Sequence, residues 1–245
     1  MEQEERKPFL EHLEELRQRL IICILAVAVG FVISYFFSEK LFLILIRPLK
    51  DALPEGSHLI FTNLPEMFIT YLKVSLISGI ILATPVIFYE FWKFVAPGLY
   101  QNEKRLLVPF VLCSCVLFLG GAIFGYFVVF PFGFKFFLGF STEYIKALPS
   151  VKQYFSFAMK LLIAFGIVFE LPVISYFLTK IGIITPQFLK NNRKYAVVII
   201  FALAAIFTPP DVMTQFMMAI PLIVLYEVSI LISKIAYAGK RKEEE

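Results

Sequence analysis

Uninterrupted apolar runs, too long for the interior of a water-soluble domain, constrain this chain more than any other feature. The first, Leu20 to Phe37, is 18 residues long, close to the roughly 20 that an α-helix needs to cross about 30 Å of hydrocarbon. No small-residue cleavage motif follows it and the chain opens on acidic MEQEE, so it reads as a retained span (20–37) rather than a secretory leader. Five more runs follow, at approximately 67–95, 105–132, 151–178, 194–207 and 212–233. Hydrophobic residues make up 59% of the 245, more than one soluble core of that length hides. The 29 Phe make the same point, because lipid-facing helices accommodate rings that water does not. The expected fold is an all-α membrane protein, a single polytopic domain over residues 1–245 with six transmembrane helices.

The last two runs are unusual. Tyr195 to Phe207 reaches only about 20 Å at 1.5 Å per residue, and Thr208-Pro209-Pro210 after it is poor helix. Only 15 uncharged residues separate Asp211 from Glu227. Both helices are expected to be short, which implies a thinned bilayer or a shielding neighbour on that side. Lys and Arg set the orientation: connections on the N-terminal side carry fifteen and the opposite side at most eight, so both termini are expected in the cytoplasm. The outer connections, 38–66 and 133–150, read as short helices and turns lying along the interface. Phe9 to Leu20, with Leu10, Leu13, Leu16 and Leu20 at helical spacing, reads as an amphipathic cytoplasmic helix leading into the first span. Gly121 and Gly125 have the spacing of close helix packing. Cys23, Cys113 and Cys115 lie inside apolar runs without metal-ligand spacing and read as small buried hydrophobes.

Several function classes are disfavoured. A net charge of +4, spread between apolar runs, forms no nucleic-acid surface. Two His, both outside the spans, make a metal site or an intramembrane protease centre improbable. No phosphate loop is present, so neither catalytic residues nor a cofactor is expected. A proton-coupled transporter fits six spans with a midplane carboxylate, but lacks an internal repeat and paired broken helices.

The polar residues carry the rest. Glu170 is the only charge between Lys160 and Lys180. At mid-membrane a carboxyl group is costly, so it reads either as a groove-facing functional site or as a protonated pin to a neighbouring helix, with Pro172 bending the chain beside it. In FLEHLEELRQRL the acidic residues read alone as a solvated face with a Glu15–Arg19 pair. In APGLYQNEKR, Glu103 follows a Pro97-Gly98 turn and reads alone as a complement to a helix N-terminus, with Asn102 as a cap.

Taken together, FLEHLEELRQRL, FWKFVAPGLYQNEKR (91–105), FELP around Glu170 and FTPPDVMTQ (207–215) resemble the TatC family, core membrane subunits of the twin-arginine protein translocase. The likeness runs in order over essentially the whole chain. It implies a receptor for signal peptides bearing consecutive arginines, supporting transport of folded proteins on the proton-motive force. It implies a recognition site of Glu15 and Glu103 with Leu16, Arg17, Phe94 and Arg105 as neighbours. It also implies an outer functional position at Pro48, a membrane-embedded one at Glu170 facing a concave groove, and docking of single-span TatA/TatB-type partners at Thr208, Asp211 and Gln215. Homo-oligomers in the cell inner membrane, contact with membrane lipids and no nucleic acid go with it. Position 101 departs from relatives that carry a basic residue there, leaving less positive charge beside Glu103. A guanidinium's planar fork suits two carboxylates on separate segments better than the point charge of lysine.

Overall fold

The computed structural model describes residues 2–54, 58–95, 107–142, 147–208 and 211–244, with side chains from 11 to 239. Among these residues the regular structure is helical: α1 (Glu2–Phe36), α2 (Ser38–Lys50), α3 (Glu66–Val95), α4 (Leu107–Phe124), a π-helical turn (Gly125–Val129), α5 (Phe130–Leu138), α6 (Val151–Val168), α7 (Leu171–Lys180), α8 (Pro186–Asn191), α9 (Arg193–Phe207) and α10 (Val212–Glu244). Five stretches are long and apolar enough to cross a membrane: Glu11–Phe36, Glu66–Val95, Leu107–Leu138, Val151–Lys180 and Val212–Gly239. Large apolar side chains such as Leu25, Leu112, Val116 and Ile235 point outward along them. That is the surface a hydrocarbon solvent accepts, and the chain is an all-α membrane protein.

The amphipathic segment and the first span are one unbroken helix, α1. α9 is short as expected, 15 residues or about 22 Å. The expectation of a short last helix is corrected, because α10 runs for 33 residues. Glu227, inside the expected 212–233 run, pairs with Arg193 of α9 at 2.6 Å, and the helix continues past it. Only the portion from Val212 to Glu227 matches α9 in length. Cys113 is also corrected: it is exposed, while Cys23 and Cys115 are half-buried. A weakly polar thiol facing hydrocarbon loses little by being outside.

The chain packs as two compact units. The first comprises residues 1–41 and 71–115. In it α1 and α3 meet backbone to backbone: a Cβ on Gly30 would lie 2.5 Å from the Gly79 carbonyl oxygen, and one on Gly79 would lie 2.5 Å from the Phe31 nitrogen. No side chain fits there, and lipid offers no hydrophobic drive to association, so close approach itself supplies the contact energy. Trp92, 3% exposed, donates its indole N–H to Ser114 Oγ at 2.9 Å and packs on Phe110, fixing α3 to α4.

The second unit comprises residues 42–70 and 116–245. Its interior is built from rings: Phe42 stacks on Phe155 at 4.5 Å, and Phe130, Phe134 and Tyr154 continue the stack. Phenylalanines therefore fill the interior as well as facing lipid. Gly121 abuts the backbone of Phe165, where a Cβ would come within 2.4 Å of the carbonyl oxygen, bearing out its packing role. Glu66, 3% exposed, ties the outer ends of α3 and α6 together. It accepts from the backbone N–H groups of Thr62, Asn63 and Lys152 and from Ser150 Oγ. Ile60 and Ser150 bridge beside it.

Filling the α1–α3 crossing tests this packing. Gly79→Val is expected to lower stability in detergent by about 1–3 kcal/mol or more, the cost of overpacking, read as a drop in melting temperature. Gly120→Ala, with nothing within 4 Å of its Cβ position, is expected to leave the melt unchanged.

Candidate functional site

α1 carries acidic and basic residues one helical turn apart, and α3 places a further carboxylate against them. Arg19 donates through Nε (3.1 Å) and Nη2 (2.5 Å) to the same oxygen of Glu15, Oε1. Its third contact, Nη1, reaches Glu90 Oε2 at 2.8 Å. The Arg19 side chain is only 14% exposed and that of Glu90 9%, while Glu15 is 36% exposed. The Glu15–Arg19 pair is therefore not the solvated surface pair expected from its spacing, because Arg19 is drawn inward by Glu90. In this setting the effective dielectric is lower than in water and each contact is stronger than a surface ion pair.

The second oxygen of Glu15 lies on the His12 side. Oε2 faces His12 Nδ1 at 3.6 Å, and the His12 ring stacks on Phe94 at 4.4 Å, nearly parallel at 16°. Two of the residues expected to share a site, Glu15 and Phe94, are thus joined through His12. Leu16 is exposed at 43%, and Arg17 is exposed and bonded to Glu14 at 3.1 Å. Glu103 and Arg105, with the Pro97-Gly98 turn, Gln101 and Asn102, lie outside the described residues. Glu90 and His12 were missed by sequence reasoning, and Arg19 was read only as the surface partner of Glu15. One signal for Glu90 was present, since it is the sole acidic residue between Glu66 and Glu103.

Pro48 lies buried inside α2. A proline has no N–H to give the carbonyl four residues back, so Ile44 loses its helical donor. Tyr126 supplies the replacement, donating its hydroxyl to Ile44 O at 2.6 Å, and Tyr154 donates to the next carbonyl, Leu45 O, at 2.5 Å. The proline thus creates the acceptor that anchors α2 to the helices behind it.

Glu170 is 5% exposed and sits where the fourth membrane stretch is interrupted, as the residue before α7. Pro172 in the first turn of α7 removes a donor there. The Glu170 N–H bonds Ile167 O at 3.1 Å, a tightened turn in place of the α-helical bond.

At the α9–α10 connection, Thr208 returns its hydroxyl to Ala204 O at 2.8 Å. Asp211 caps α10 through the Thr214 N–H at 2.8 Å and the Thr214 hydroxyl. Gln215 donates to Phe201 O at 3.0 Å, crossing back to α9. Thr208 closes the end of α9, Asp211 caps α10 and Gln215 ties α10 back to α9. Pro209 and Pro210 lie outside the described residues. Ile206, Val212, Met213 and Phe216 around the turn are exposed.

Comparison with known proteins returned one family. The family described as Sec-independent protein translocase protein (TatC) matches residues 11–221. The chain is 57% identical to a TatC protein of Desulforapulum autotrophicum over 243 residues, 99% of this chain and 89% of that one. It is 47% identical to TatC of Aquifex aeolicus over 238 residues, 96% of this chain and 98% of the relative. Identity to TatC of Escherichia coli strain K12 is 39% over 245 residues, covering 100% and 95%. A crystal structure described as the twin arginine translocase receptor TatC superposes with a TM-score of 0.83 at 47% identity, over 92% of this chain and 99% of that one.

The proline–tyrosine pair yields a prediction. Tyr126→Phe is expected to lower stability by about 1 kcal/mol, the net worth of one hydrogen bond. In a Pro48→Ala background the helix regains its own donor to Ile44, and the same change is expected to have at most a third of that effect. Melting curves of the four proteins check this.

Proposed function

We propose how this chain, which belongs to the TatC family of Sec-independent protein translocase proteins, recognises and passes on its cargo. It is a multi-pass membrane protein and the receptor subunit of a twin-arginine translocase, a transport component and not an enzyme. Both termini lie in the cytoplasm and the membrane is crossed six times, α9 being the fifth and shortest crossing. The Lys and Arg excess on the N-terminal side supports that orientation.

One observation carries the recognition reading: Glu15 is partly exposed beside the His12–Phe94 stack, with Oε1 held by Arg19 and Oε2 facing His12. Such an acceptor takes one guanidinium of a twin-arginine signal, and Glu103 takes the other, with Leu16, Arg17, Phe94 and Arg105 around them. The apolar part of the signal then runs into the membrane toward Glu170. Pro48, by holding α2, keeps the outer side in shape for transport.

Transport proceeds with TatA/TatB-type single-span partners, which dock on the apolar surface around Thr208, Asp211 and Gln215 and draw on the proton-motive force. The protein works as a homo-oligomer in the cell inner membrane, and lipid thinned against the 15-residue α9 eases passage of folded cargo.

The test is binding of a fluorescent twin-arginine signal peptide to the detergent-purified protein. Binding is expected to fall at least about tenfold for a twin-lysine peptide, since the bidentate contact is lost. Glu103→Gln is expected to remove most of the affinity and Glu15→Gln part of it. Equal binding in all cases sinks the carboxylate site. For α9, inserting one apolar helical turn is expected to abolish transport in cells while leaving peptide binding intact; unimpaired transport refutes the thinning role.

A further inference from the structure

The recognition carboxylate already has an arginine on it. Arg19 sits on Glu15 through two donors, so a Glu15–Arg19 pair alone would be self-neutralised and an incoming guanidinium would have to evict its resident rival. What changes this is Glu90, reaching α1 from α3 within the same compact unit. Glu15, Arg19 and Glu90 together carry one positive and two negative formal charges. The cluster is one charge short of neutral, and the shortfall falls on the member that is exposed. Glu90 is 9% exposed in its side chain against 36% for Glu15, so Glu90 satisfies Arg19 from the inner side and Glu15 is left facing outward.

We propose that Glu90 is a positioning residue for cargo recognition: it holds Arg19 from the inner side, so that Glu15 can exchange its internal arginine for an arginine of the signal. The proposal rests on the receptor reading above and adds to it a residue that touches no cargo. The energetics favour the exchange. Stripping Arg19 of its only carboxylate would leave an unpaired, largely buried guanidinium, which is strongly penalised. With Glu90 in place Arg19 retains a 2.8 Å partner throughout, and the guest guanidinium forms a contact without a buried charge being orphaned. Geometry agrees, because both Arg19 donors converge on Oε1 of Glu15 and leave Oε2 toward His12.

Fluorescence anisotropy with a twin-arginine signal peptide tests this on the full-length protein in detergent, using wild type, Glu90→Gln and the double variant Arg19→Gln, Glu90→Gln. Size-exclusion profiles report folding. Neutralising Glu90 is expected to weaken binding about tenfold, the scale of one charge in a partly desolvated network. Removing Arg19 as well is expected to restore binding to within about threefold of wild type, since Glu15 then has no internal rival. A purely structural Glu90 would show no such rescue. Unchanged binding in Glu90→Gln overturns the proposal, as does equal weakening in both variants. If Glu90→Gln does not fold, the charge-neutral double variant decides: near-wild-type binding supports the exchange, and lost binding overturns it. Absence of peptide binding by the wild type is a separate result, and it overturns the receptor reading itself.

Discussion

Hydrocarbon neither donates nor accepts hydrogen bonds, so each polar group carried into it must be answered by the chain itself. The structure is largely a record of those answers. Pro48 orphans a carbonyl and Tyr126 meets it. Glu66 gathers the backbone N–H groups at the start of α3 and α6. Thr179 and Ser233 share a hydrogen bond at 2.7 Å where α7 faces α10. Arg193 pairs with Glu227 where α9 meets α10. Packing between these pins comes from glycine-on-backbone contacts and aromatic stacks, because burying apolar surface gains little from a solvent that is already apolar.

The helices were legible in the sequence because span length and hydropathy are local properties. Their joins were less so. The run around Glu170 read as one span with a bend and is two helices in line, α6 and α7, as Pro172 implied. The third run extends through a π-helical turn to Leu138, for which apolar composition gave no cue. The last helix outruns its apolar stretch, 212–233, because it continues into the charged segment that follows. Glu227 lies within the helix and pairs with Arg193, 34 residues earlier.

The candidate site divides the same way. Motifs singled out Glu15 and Phe94, which share one environment, and Pro48 and Glu170, which have their own. What the motifs lacked was the partner across space: Glu90 for Arg19, His12 between Glu15 and Phe94, and Tyr126 and Tyr154 for the carbonyls near Pro48. Helical spacing predicts neighbours three or four residues apart; the His12–Glu15 contact falls inside that window, while the others cross between helices. Thr208, Asp211 and Gln215 were grouped by resemblance, and geometry gives them a common structural task in capping one helix and holding another.

That capping has a consequence for the short helix before it. A helix of 15 residues is a poor candidate for entering a bilayer by itself. Asp211 and Gln215, which fix the turn after it, belong to the segment synthesised next. α9 therefore depends for its hold on groups that the following helix supplies. Losing α10 would take from α9 both the Gln215 bond to Phe201 O and the Glu227 partner of Arg193.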